Sequence, residues 1–533
     1  MSWYPYLLPL LAFYIVRKAL VFRENSRKLS YLPGLRSLFS PASPLGVLLP
    51  TYFWNPGMKW QWHWRKEAYA KHGLQTISVL GYLTSRPAVY TISMDVAKQV
   101  LALSLKGQLE KTEESTSFIR FWGRNLFTEN GAEWSRHRRI MNPAFSPETY
   151  ALVWDEATSV YREMVDAEGW AGKDEVTIPA MNPFSSKFAL IIIGRCGFGQ
   201  PMPWKSAPDA SGIQMTLSEA IGIVSRSTIA RLVTPRWVYR LPIRRLRNIE
   251  TAWKRVDAEL KHLVASRRAE MASAKERAES EKKDVFRLML RASDGQGTLS
   301  MSDEELAGNT YLLLMAGHES TARTLDAVTG FLALYEDKQE EVYNEIRSAV
   351  SEDGKLVRAS LTSHLPLLRD RTQHFQKLPK VEACFLEAAR LFPAAPSMSR
   401  DTQHTVALQT DAEDGHGGQL VLEPGVRVAV DLVGLHYNPK HFPDPEEFRP
   451  ARWYGVSDND MTVFSFGPRA CIGRRFAVTE GVAYLAHFLL DWKVTVVLKH
   501  PGETKAQWRA RVMRADDGLT LGVGSVPVRL TRR

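Results

Sequence analysis

Cysteine is scarce here: Cys196, Cys384 and Cys471 are the only three in 533 residues, and no two form a C-x-x-C pair. That excludes a disulfide framework and a structural zinc site, which need several sulfurs at short spacing, and it fits a reducing compartment. The chain has no G-x-G-x-x-G run either, so it carries no dinucleotide-binding fingerprint. No internal repeat and no domain-sized linker divides it. One large domain therefore accounts for the length as well as several small ones would. Neither sign of charge is lacking: 69 lysines and arginines stand against 58 acidic residues, a net +11. That surplus suits an anionic membrane surface or an acidic protein partner as well as nucleic acid, and does not choose among them.

The first residues, MSWYPYLLPLLAFYIV, carry no charged side chain through Val16. As a helix that run would span roughly 24 Å, short of the ~30 Å hydrocarbon core of a bilayer. Extension to Phe22 gives enough length if Arg17 and Lys18 snorkel. The following Arg23, Arg27, Lys28 and Arg36 put the body of the protein on the cytosolic side. A cleaved signal peptide would carry its cations in front. The expectation is a single-pass membrane anchor over residues 1–22, a basic Pro-Gly hinge over 23–36, and one large domain over 37–533 on the cytosolic side.

Long amphipathic patterns dominate that body. SDEEL at 302–306 is a capping-box start for a helix running through LLLMAGHESTARTL. VRVAVDLV (426–433) and WKVTVVL (492–498) read as strands, and DAEDGHGGQ (411–419) as a hairpin tip. The charged stretch 269–283 reads as a solvated helix end or loop. The expected fold class is mainly α with small β-sheets.

Cys471 lies in FSFGPRACIGRRFA, residues 464–477, a glycine-hinged cationic turn ahead of a helix pattern. A lone thiolate that binds a metal cofactor needs deprotonation, N–H donors and backbone close to the cofactor. Gly467 and Gly473 remove bulk, Arg469 offers a cation to an anionic rim, Phe464 can shield the sulfur, and the positive end of the following helix favours the thiolate. Without those neighbours a buried cysteine is usually a small hydrophobe.

FSFGPRACIG resembles the F-x-x-G-x-R-x-C-x-G signature of the cytochrome P450 family, the haem-thiolate monooxygenases. The resemblance implies the P450 fold and haem b, with Cys471 as the axial iron ligand and Arg469 on a propionate. It also implies a thiolate that pushes electron density toward bound O2. Three further constellations follow in the family's order. EAAR, with Glu387 and Arg390, resembles the E-x-x-R helix, and FRPARW resembles F-x-P-x-R-W, whose Arg452 would join the other two in a buried structural network. Ala451 departs from the glutamate that many relatives carry. GAEWSRHRR resembles the W-x-x-x-R helix, so Trp134 and Arg138 would reach the propionates, and Arg400 falls where relatives place another propionate-binding arginine. Read without the resemblance, these would be an exposed ion pair and a surface basic helix.

AGHEST at 316–321 resembles A-G-x-[DE]-T-[TS]. Ala316 and Gly317 would let the helix pass close to the haem, and Glu319 with Ser320 or Thr321 would relay protons as acid and alcohol. His318 is expected to pack. Ser320 stands where threonine is usual, which leaves its rotamer less restrained. By the same resemblance the reaction inserts one oxygen atom into a lipophilic substrate, with NADPH-derived electrons from a separate NADPH-cytochrome P450 reductase, and cytochrome b5 as a second donor. Arg474 and Arg475 offer a docking face for such an acidic partner. No role for nucleic acid is implied, and a monomer is expected.

RLVTPRWVYRLPIRRLR (231–247) interleaves aromatics with six arginines as an interfacial segment does. Phe118, Phe121, Trp122 and residues 394–397 would line the pocket. IIIGRCGFG, DLVGLHYNP and the C-terminal stretch look most like basidiomycete members of the family, which makes a terpenoid of secondary metabolism the leading substrate class. Two alternatives stay open: an isomerase or peroxide-rearranging enzyme of the same fold, and a membrane-anchored haem protein that only binds a gas.

Overall fold

In the chain's computed structural model Ser302 opens helix Asp303–Leu334, the longest among the described residues, through a complete capping box: its hydroxyl accepts the Glu305 N–H and the Glu305 carboxylate accepts the Ser302 N–H at 2.8 Å. From Leu306 to Leu334 this helix is buried at nearly every turn, so it runs through a core rather than along a surface. The structure describes residues 4–57, 59–84, 86–205, 215–272, 284–295, 299–349, 378–411, 418–457, 462–516 and 520–533. The tip 412–417 and the charged residues 273–283 lie outside them.

Among the described residues the strands are β1 (Gly34–Ser37), β2 (Thr76–Gly81), β3 (Ala88–Thr91), β4 (Leu109–Glu110), β5 (Glu175–Ile178), β6 (Ser397–Thr402), β7 (Val406–Gln409), β8 (Gln419–Leu422), β9 (Arg427–Asp431), β10 (Trp492–Val496) and β11 (Val528–Arg532). The chain divides into two compact units.

The first unit holds Met1–Ser117, Thr128–Gly131 and Ala395–Glu447. Its mixed sheet has the order β1-β2-β3-β9-β6-β4, and β7 pairs with β8 as an antiparallel ribbon. Strand β9 sits inside the sheet and is buried at all five residues, although its sequence alternates like a half-exposed strand. Its polar ends are satisfied internally: Arg427 donates to Asp401 at 2.9 Å, and Asp431 accepts the Tyr69 hydroxyl at 2.8 Å.

The N-terminal helix, Tyr4–Lys28, exposes Leu8, Leu10, Leu11, Phe13, Ile15 and Val16. Its second half docks on the unit's own body. Phe22 stacks on Tyr82 at 4.6 Å, Lys18 donates to the Leu83 carbonyl, and Arg27 pairs with Glu423 at 2.7 Å. The apolar stretch left free is thus shorter than the expected 1–22 anchor, and among the described residues no helix is long and apolar enough to cross a membrane. The Pro-Gly stretch read as a hinge turns at Ser30 and Tyr31, both at positive φ, and then enters the sheet as β1, parallel to β2.

The second unit holds Phe118–Phe127, Ala132–Ala394 and Phe448–Arg533. Helices Pro147–Ala167, Asn182–Ile192, Leu217–Val233, Arg244–Ala272, Pro379–Leu391 and Arg474–Asp491 surround Asp303–Leu334, beside the antiparallel sheet β10-β11-β5. Helix Asn182–Ile192 continues into a wider π turn, Ile193–Gly197. Loop and long helix meet backbone to backbone: a Cβ on Gly308 would lie 2.4 Å from the Arg124 carbonyl, so only glycine fits there.

Glu305 does more than cap. Arg136 and His137 of helix Gly131–Met141 both bond its carboxylate, His137 at 3.2 Å, and Asn309 meets the other His137 nitrogen at 3.3 Å. Burial pushes the Glu305 pKa up, but the bonds from Arg136, Ser302 and His137 outweigh it and hold the value at about 2 against an ordinary 4.5. A depressed carboxyl stabilises the fold above its unfolded pKa and loses that contribution as pH falls toward the folded value. Glu305→Gln should therefore cost at least about 1 kcal/mol near neutral pH. In acid titrations followed by circular dichroism, the gap from wild type should close between roughly pH 4.5 and 2.

Candidate active site

Of the three cysteines, Cys196 and Cys384 are buried inside helices and Cys471 alone is exposed. Burial pushes all three thiols up. Only at Cys471 do a backbone N–H, from Gly473, and two arginines, Arg138 and Arg474, oppose that rise together.

The turn is built by its backbone. Ser465, at φ +59, and Gly467, at φ +71, reverse the chain after the short helix Thr462–Phe464. The Ala470 N–H then returns to the Gly467 carbonyl at 3.0 Å, and the Cys471 N–H to the Phe464 carbonyl at 2.9 Å. For Ser465 the left-handed conformation is costly, and a fixed hydrogen-bonded loop sustains it. Helix Arg474–Asp491 follows, with Gly473 as its N-cap.

Helix Gly131–Met141 brings two expected residues to the same turn. Arg138 donates to the Ala470 carbonyl at 3.1 Å, and the Arg469 guanidinium lies 4.4 Å from the centre of the Trp134 ring. Trp134, Arg138 and Arg469 therefore cluster around the cysteine loop, one indole N–H and two guanidiniums that suit carboxylates. Arg400 belongs to the first unit. It is buried on β6, donating to the Ser104 hydroxyl at 3.2 Å and to the Ser399 carbonyl at 2.8 Å.

Glu387 and Arg390 are both fully buried on helix Pro379–Leu391 and pair bidentately, at 2.8 and 2.9 Å. Arg452 reaches the same carboxylate at 3.3 Å. Two further donors were not legible in the sequence: the Arg449 backbone N–H and the Trp453 indole, each at 2.9 Å. Four residues thus bring five hydrogen bonds to one carboxylate, the closure that a buried charge demands. Ala451 is exposed, so the departure there takes nothing from this network.

On the long helix, Ala316 is exposed although residues 311–315 and 318–319 are buried. Ser320, one turn on, is half-buried, and its hydroxyl is spent on the Ala316 carbonyl at 2.7 Å. Thr321 is buried, at 2% exposure, and so lies off the face that Ala316 and Ser320 share. Gly317 has a packing reason to lack a side chain, since a Cβ there would come within 2.9 Å of Ile193 on the π turn. His318 is buried, bonded to the Ser186 hydroxyl at 2.8 Å, and held down to about 4 by burial and Arg323. Glu319 accepts the Ser225 hydroxyl at 2.7 and 2.8 Å and the Thr520 hydroxyl at 2.7 Å.

Of the aromatics expected around a pocket, Phe121 and Trp122 are engaged with other rings, and the Phe118 side chain lies outside the described residues. Trp122 stacks on Trp253 at 4.9 Å and packs against Tyr311 at 4.0 Å, while Phe121 meets Trp253 edge-on at 4.7 Å.

A sequence model described as Cytochrome P450 matches residues 77–521. Cytochrome P450 monooxygenase 124 of Postia placenta is 31% identical across 98% of each chain. The chain belongs to the cytochrome P450 family. Among its other relatives are cytochrome P450 monooxygenase prx9 of Penicillium rubens, 23% identical over 87% of this chain and 83% of that one, and human cytochrome P450 4F12, 27% identical over 78% and 76%. A cytochrome P450 is mainly helical with small sheets and uses haem held by a thiolate, and the residues present fit that group. The exposed thiol, the opposing N–H and cations beside it, and the accessible Ala316 within a buried helix suit an anionic cofactor that a thiolate would hold.

Proposed function

We propose that this chain is a haem-thiolate monooxygenase that hydroxylates a lipophilic substrate, a terpenoid of fungal secondary metabolism, with NADPH-derived electrons from a separate reductase and cytochrome b5 as a second donor. The observation that carries the reading is the single exposed cysteine, fixed in a hydrogen-bonded cationic turn, in a chain of this family. Fungal relatives whose names say monooxygenase support it. Haem, when bound, supplies the iron that activates O2, one oxygen atom entering a C–H bond and the other leaving as water.

The protein's residues supply the rest. Cys471 would hold the haem iron through its sulfur, with Gly473 N–H, Arg138 and Arg474 favouring the anion. Trp134, Arg138, Arg469 and Arg400 are the proposed propionate partners. Glu387, Arg390 and Arg452 brace the cysteine loop without touching the reacting atoms. Glu319 and Ser320 are the proposed acid and alcohol for proton delivery, and Ser320 takes preference over Thr321 because it shares the accessible face with Ala316.

The proposed setting is the cytosolic face of the endoplasmic reticulum. There the exposed apolar side of helix Tyr4–Lys28 anchors the chain, and exposed Trp237, Leu241 and Ile243, set among arginines, meet lipid headgroups. The proposed haem domain, 37–533, acts as a monomer.

Co-expression with a fungal reductase, feeding of sesquiterpenes and mass spectrometry under isotopically labelled dioxygen test the proposal. A product carrying one labelled oxygen is expected. Products without the label would sink the monooxygenase reading, and label found only in substrates of another class would sink the terpenoid one.

A further inference from the structure

Glu319 is buried, at 7% exposure, and the donors holding it come from two distant stretches of chain: Ser225 on helix Leu217–Val233 and Thr520 near the C-terminus. Ser225, itself at 3% exposure, reaches both carboxylate oxygens, and Thr520 adds a third short bond to Oε1. A carboxylate in a dry site takes whatever orientation its donors impose, and its desolvation is offset by those bonds. Both donors are neutral hydroxyls. A hydroxyl donates and accepts, so it orients the carboxylate without cancelling its charge, as a lysine or arginine would. The neighbouring residue is held from the same direction: the His318 ring bonds Ser186, whose hydroxyl meets Ser218 at 3.1 Å. Ser218 and Ser225 are two turns apart and share one face of helix Leu217–Val233.

We propose that Ser225 and Thr520 are positioning residues for proton delivery, clamping the Glu319 carboxylate from outside its own helix so that it faces one fixed way beside Ser320. The inference rests on the reading of Glu319 as the relaying acid. Neither hydroxyl touches substrate or cofactor in this role. With the clamp removed, Glu319 is free to rotate, and the two NADPH-derived electrons and two protons spent on each O2 leave as hydrogen peroxide with the substrate C–H bond intact, instead of as one water and one oxygenated product.

The test uses holoprotein carrying Ser225→Ala, Thr520→Val or both, with Ser225→Thr and Thr520→Ser as conservative rescues. Its first readout needs no turnover: the infrared carboxylate band of Glu319, assigned by its loss in Glu319→Gln, should shift in the hydroxyl-free variants and return in the rescues. The second uses a sesquiterpene probe with NADPH and reductase. The share of electrons recovered in product should fall roughly tenfold in the double variant, the scale of losing hydrogen bonds to a charged group. Peroxide should rise and the solvent isotope effect should grow, while the reduced carbonyl spectrum stays as in wild type.

An unmoved band overturns the clamp. A shifted band with wild-type coupling and isotope effect overturns the positioning role and leaves the hydroxyls merely structural. A wild-type protein that makes no oxygenated product refutes the functional reading instead, and the infrared arm alone then decides whether these hydroxyls hold Glu319.

Discussion

Glu387→Ala should lower the stability of the protein by about 3–5 kcal/mol, the cost of leaving a buried cation without its partner. Removing this carboxylate takes the bidentate acceptor from Arg390, which is fully buried, and withdraws one acceptor shared by Arg452, the Trp453 indole and the Arg449 N–H. The loss falls on the segment Pro450–Trp453 that packs on helix Pro379–Leu391, so haem retention should fall with stability. Thermal unfolding followed by circular dichroism, with haem content per protein, is the check. Glu387→Met combined with Arg390→Met should cost much less than Glu387→Ala, because replacing both charges by apolar groups of similar volume removes the desolvation penalty with the attraction. A single variant as stable as wild type would show that the network is not closed.

Cys471→Ser should abolish oxygenation altogether while leaving the fold in place. The backbone bond from residue 471 to the Phe464 carbonyl does not depend on the side chain, and the thiol lies at an exposed position rather than in the packed core. What changes is the ligand: a serine oxygen is harder than sulfur and far less willing to ionise, so it neither holds iron in the same way nor donates electron density as a thiolate does. Product formation should vanish, and the far-ultraviolet circular dichroism spectrum should match wild type. Turnover persisting in this variant would remove Cys471 from the reaction.

The sequence showed much of this arrangement because its key groups lie in short runs. Arg469 and Cys471 share one turn, Trp134 and Arg138 one helix face, and Glu387 with Arg390 a three-residue spacing. What it hid are the contacts that join distant segments. The Glu305 capping box was legible, but its bonds to Arg136 and His137 close across more than 160 residues, and periodicity carries no signal for them. Ser225 and Thr520 are ordinary hydroxyls in sequence, and only folding brings them to Glu319. The Arg449 N–H that completes the Glu387 network belongs to the backbone and has no letter of its own. The alternation at β9 reads as a strand and is one, but its place inside the sheet, which buries all five residues, depends on distant neighbours. At the N-terminus hydropathy alone suggested a span through Phe22, whereas Lys18 and Phe22 are committed to the hairpin residues Leu83 and Tyr82.

The most direct measurement is the absorption spectrum of the purified, dithionite-reduced protein under carbon monoxide. Sulfur ligation from Cys471 predicts a Soret band displaced to long wavelength. A band at the shorter wavelength typical of nitrogen-ligated haem, or no haem at all in correctly folded protein, would contradict the account.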